Sequence, residues 1–82
     1  MINEITSTKM KFNRSLEPIK VMLVNKKDKL DKIEWDAFVK RTEDSIIRCP
    51  DQYLGQDLPQ RDILRALVKE IFIDFVAREH FN

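Results

Sequence analysis

The side chains here that could carry chemistry are few, and their spacing argues against each use. His80 and Cys49 are the only histidine and the only cysteine. A general base must be held within hydrogen-bond reach of its substrate. His80 stands beside Glu79 and two positions before the last residue, where a chain end frays. Cys49 has no histidine near it in sequence, so it reads as a small, partly buried apolar side chain rather than a nucleophile. One histidine and one cysteine make no zinc set, and a lone cysteine closes no internal disulfide. Asp31, Glu34, Asp36, Glu43 and Asp44 are interleaved with Lys32, Lys40, Arg41 and Arg48, which is the pattern of a solvated helix face. The single glycine excludes a glycine-rich phosphate loop. The expectation is a protein without catalysis, metal or cofactor.

Whatever the function, 82 residues set the scale of a single small domain, here 1–82. With 43% hydrophobic and 35% charged residues, the chain has material for a core and is unlike disordered or collagenous sequences. One glycine and three prolines leave too little turn chemistry for an all-β fold and favour helices. A core this small commonly needs a staple, and without disulfide or zinc the remaining device is self-association. The lone cysteine and the lack of a leader-like opening point to the cytoplasm. The longest wholly apolar run, 21–24, is far short of a bilayer span, so no membrane partner is expected.

The net charge of +1 hides an asymmetry. Residues 1–29 carry seven basic side chains (Lys9, Lys11, Arg14, Lys20, Lys26, Lys27, Lys29) against three acidic ones, a net +4, and the remainder has a net −3. A basic N-terminal third on an acidic body fits an arm or ribbon that meets a polyanion. It equally fits lysines that keep a face soluble.

The elements follow from pattern and punctuation. In 1–17, Met10 and Phe12 alternate with Lys9, Lys11 and Asn13, as in a short strand or extended basic arm. Pro18 suits the start of a strand or the first turn of a helix. Ile19, Val21 and Val24 are β-branched, so 19–24 is expected as a strand, with a helix as the rival that periodicity cannot exclude. Helical spacing then runs over 31–48, with Asp28 or Asp31 as cap, Trp35, Phe38, Val39, Thr42 and Ile46 buried, and Pro50 as terminator. Residues 50–57 read as a loop. A long helix follows over 59–79, with Asp57 or Leu58 as cap and Pro59 in its first turn.

That last helix is apolar over roughly 220° of arc, where about 100° suffices for one neighbour. Two explanations stand. Ile63, Leu64, Leu67, Val68, Ile71 and Phe75 form the core of a homodimer across a twofold axis, or a monomer wraps the helix with 19–24 and the 31–48 helix.

The stretch LPQRDILRALVKEIF, 58–72, resembles the second helix of the ribbon-helix-helix DNA-binding proteins. EWDAFVKRTED, 34–44, is similar to their first helix, and PIKVMLVN, 18–25, occupies the place of their strand. The two long connections, NKKDKLDKI and CPDQYLGQD, depart from that pattern. The resemblance implies a mainly α fold of one short strand and two helices over 18–82, dimeric, with paired strands entering the major groove. Ile19, Val21 and Leu23 would then face the core and Lys20, Met22 and Val24 the DNA. Only Lys20 among these offers a donor to base edges. Gln60 and Arg61 at a helix N-terminus would clamp phosphate, helped by Lys26 and Lys27, and Lys9, Lys11 and Arg14 would extend the contact as an arm. The functional expectation is thus a homodimeric DNA-binding regulator. The alternative is an all-α bundle acting as an adaptor or inhibitor of a larger protein through surplus apolar surface.

Overall fold

Phe12, Leu16, Ile19 and Leu23 recur at intervals of four, three and four residues, the spacing of one helix face. In the computed structural model, which describes residues 4–79, they point the same way from two consecutive helices, α1 (Glu4–Ser15) and α2 (Glu17–Lys26). Phe12, Leu16 and Leu23 are fully buried and Ile19 packs against them. Leu16 links the two helices, its N–H donating to Phe12 C=O at 2.9 Å and its C=O accepting from Lys20 at 3.0 Å. Pro18, in the first turn of α2, lacks the N–H that would continue α1, and its ring forces the break.

The strand expected over 19–24 is therefore a helix, and no strand occurs among the described residues. The one-strand, two-helix ribbon architecture is overturned, and the described residues form an all-α fold of five helices. β-Branching is a weak local preference that packing overrides. What holds α2 helical is its far end: the Lys27 N–H turns to Val24 C=O (3.1 Å), and the Leu23 C=O accepts the Trp35 indole N–H at 2.7 Å. That bond satisfies the indole N–H of a buried tryptophan. The extended basic arm is likewise corrected, since its described part is α1. Residues 1–3 and His80 lie outside the described residues.

The third helix, α3 (Lys32–Arg48), starts where its cap residues place it. Asp31 Oδ1 accepts from the Glu34 N–H at 2.8 Å while Glu34 Oε1 accepts from the Asp31 N–H at 3.1 Å, a reciprocal capping box that satisfies two otherwise orphan donors. Trp35, Val39 and Ile46 are buried as expected, with Phe38 and Thr42 half-buried. Glu43, grouped by sequence with the solvated carboxylates, is also buried, 3.8 Å from Lys40 Nζ.

Pro50 ends α3 but also opens a short α4 (Pro50–Leu54), so only part of 50–57 is loop. Cys49 between them is exposed rather than partly buried. Gly55 closes α4 at φ 87° and ψ −174°, a backbone region essentially restricted to glycine. Leu58 packs on the core ahead of α5 (Arg61–Arg78), which begins with Gln60 as its cap, not Asp57 or Leu58.

Burial on more than one side of α5 is met within one chain. Leu64, Leu67, Val68, Ile71 and Phe75 are buried and Ile63 half-buried, because α1 covers one flank and α3 the other. The Phe75 ring lies 6.0 Å from Trp35 and 6.3 Å from Phe72. The element that sequence reading lacked was α1. The broad apolar arc is thus no argument for a second copy.

Candidate interaction surfaces

Ten residues of α2 contain five large apolar side chains, and a short helix lying on the surface cannot bury them all. Ile19 and Leu23 turn inward, and Val21, Met22 and Val24 face out. Val21 is 53% exposed, and Met10 of α1 is 56% exposed. Met10, Val21 and Val24 line an open groove of about 630 Å³ between α1, α2 and α5, with Ile71 and Phe75 also on its lining. Its remaining lining is polar: Asn13 and Asn25, with Arg14, Lys20 and Arg78 balanced by Glu17, Asp74 and Glu79. An apolar strip with charges of both signs around it is the composition of a protein-contact surface.

The side chains expected to bind DNA are mostly engaged in holding the fold. Lys9 Nζ lies 2.6 Å from Glu70 and 3.4 Å from Asp74, tying α1 to α5. The Glu70 carboxylate that accepts its hydrogen bond raises the Lys9 ammonium above its ordinary value of 10.5. Lys20 donates to Asn13 Oδ1 at 2.6 Å and so bridges α2 to α1. Lys27 donates to the Glu79 C=O at 2.8 Å, and its Nζ sits 5.8 Å from the Trp35 ring centre. A cation there also complements the negative end of α5. Lys26 lies over the Phe38 ring at 5.3 Å, and Lys11 is 3.7 Å from Asp57. Arg14 is exposed on the groove.

Gln60 and Arg61 are exposed at the start of α5, whereas Lys27 meets its far end. Eighteen residues of helix separate the two by about 27 Å. The phosphate clamp drawn from sequence therefore does not assemble from these residues.

Sequence reading missed the cations that do gather. Arg41 and Arg48 of α3 and Arg65 and Lys69 of α5 line one shallow hollow with Asp44, Ser45 and Ile47. The signal was present, since 41, 44, 45 and 48 share one helix face, but pairing it with 65 and 69 required knowing how α3 and α5 cross.

Among the described residues no cluster of three or more metal-ligating side chains occurs, and no helix is long and apolar enough to cross a membrane. No family model, curated protein or solved structure matches the chain.

Proposed function

We propose that this chain is a small helical interaction module that receives an apolar segment of a larger protein in the groove between α1, α2 and α5. The observation that supports it is the outward display of Met10, Val21 and Val24 along one open groove, in a fold that already buries its own core. Each of the three leaves more than a third of its surface in water. Covering apolar area releases roughly 25 cal/mol per Å², and an amphipathic helix laid in such a groove is a recurrent way to do so. The alternating charges around the strip would then fix orientation and exclude wrong partners.

The ribbon-type DNA regulator has lost its strand, and a homodimer has lost the need to cover α5. The strand and a bare α5 no longer support those readings, whereas the surplus apolar surface on α2 supports this one.

The test is affinity capture on the immobilised protein, read by quantitative mass spectrometry against two variants. Val21→Lys should lose the captured partner while keeping its melting temperature, because an exposed substitution changes stability by only about 0.5 kcal/mol. Lys11→Gln should retain the partner. Capture that survives Val21→Lys, or that fails with Lys11→Gln instead, would reject the groove as the binding surface.

A further inference from the structure

The hollow between α3 and α5 differs in kind from the apolar groove. The two helices run antiparallel: Trp35 near the start of α3 meets Phe75 near the end of α5, and Arg48 at the end of α3 shares the hollow with Arg65 in the second turn of α5. This brings Arg41, Arg48, Arg65 and Lys69 around a space of about 550 Å³, against one carboxylate, Asp44. Among the described residues none of the four cations has an ion-pair partner. Arg41 is held instead over the Phe38 ring, 5.7 Å from its centre. Two carboxylates of α5, Glu70 and Asp74, pair instead with Lys9 of α1 and are not on the lining of the hollow.

Four cations kept together in the open oppose one another unless an anion joins them. Three are arginines, whose planar fork matches phosphate oxygens two at a time. Arg41 and Arg48 stand two turns apart, about 10.5 Å along α3, a length over which one strand of a duplex presents about three phosphates.

A protein interface would place an apolar centre within the charged rim; here Ile47 is the only apolar member of the lining. A single-stranded site would add aromatic rings for bases to stack on. The hollow contains none, and the nearby Phe38 ring is already covered by Lys26 and Arg41. We infer that the α3/α5 hollow binds the phosphate backbone of duplex nucleic acid through Arg41, Arg48, Arg65 and Lys69. The contact is made to phosphates alone and is independent of base sequence.

The experiment is fluorescence anisotropy with a labelled DNA duplex of arbitrary sequence, titrated with the full chain at several salt concentrations. Binding is expected at low salt, with log K falling against log[salt] at a slope of about −3.6, which is about a 150-fold loss from 50 to 200 mM. Arg48→Gln/Arg65→Gln should weaken it by about tenfold or more, because half of the phosphate contacts go. Lys11→Gln/Arg14→Gln, the same change in net charge on α1, should leave it within about threefold, since long-range charge alone acts weakly across screened distances. Circular dichroism and melting curves confirm that both variants are folded.

Four results would overturn the inference: no binding at low salt, equal loss in both double variants, displacement of the duplex by poly-glutamate at matched charge, or tighter binding of the single strand. Poly-glutamate displacement would assign the hollow to a carboxylate-rich protein instead.

Discussion

The α1-facing side of α5 and its α3-facing side carry charge in opposite ways. On the first, Lys9 meets Glu70 and Asp74, and Lys27 meets the Glu79 end of the helix. On the second, Arg65 and Lys69 stand with Arg41 and Arg48 around a single carboxylate. One helix thus presents a neutralised face and a cationic face. The sequence places its positive surplus in residues 1–29, but in the fold Lys9, Lys11 and Lys27 of that segment pair with acids from the remainder of the chain. The four cations that gather in the hollow come from the segment with net negative charge. Segment charge therefore reports composition, and only the packing of helices decides which charges remain available.

The largest test of this contrast is Phe12→Ala. Phe12 is fully buried between α1 and the core, and its truncation should cost about 3–5 kcal/mol in urea unfolding. An extended arm would tolerate the change, so a small loss would break the account of the α1 side. Next, Trp35→Phe removes the donor to the Leu23 C=O and should cost about 1–3 kcal/mol by stranding that acceptor. Gly55→Ala meets no steric neighbour within 4 Å, so its cost of about 1–3 kcal/mol is backbone strain alone. Chemical denaturation measures both.

Smaller than these is the pH effect of Lys9. Its ammonium titrates higher in the folded chain than its ordinary 10.5, first through the hydrogen bond from Lys9 to Glu70. A group raised on folding stabilises fully below the unfolded value, and the contribution is lost as pH rises through the folded value. Stability should therefore fall further above about pH 10.5 in the parent than in Lys9→Met; parallel curves for the two would remove Lys9 as a link between α1 and α5. The smallest effect is expected on the other side. Arg48→Gln/Arg65→Gln should change stability by no more than about 0.5 kcal/mol, because these side chains form no ion pair among the described residues. A clearly destabilised double variant would mean that the two sides do not differ as described.

The second half of the fold was readable because its signals are local. Asp31 offers a cap at a helix start, Pro50 marks an end, and 63–76 carries a sustained helical period. The first half was misread where local and distant influences disagree. Ile19, Val21 and Val24 favour a strand by type, yet Phe12, Leu16, Ile19 and Leu23 share a helical period that runs through Pro18. A proline normally interrupts such a pattern, which hid the two joined helices. The apolar groove was visible only as a surplus of hydrophobic residues, assigned to α5 instead of α2. The basic hollow was legible only in its α3 half, because its four cations belong to two helices whose crossing the sequence does not show.

The apolar groove and the pairing of the N-terminal lysines depend on residues 6–26 being two helices, α1 packed on α5 and α2 on α1 and α3. Backbone 13Cα chemical shifts with amide hydrogen exchange on the intact chain measure this directly. Helical shifts are expected across α1 and α2, with slow exchange at Leu16 and Leu23, whose side chains are fully buried. Extended-type shifts over 19–24, or rapid exchange throughout 6–26, would contradict the account.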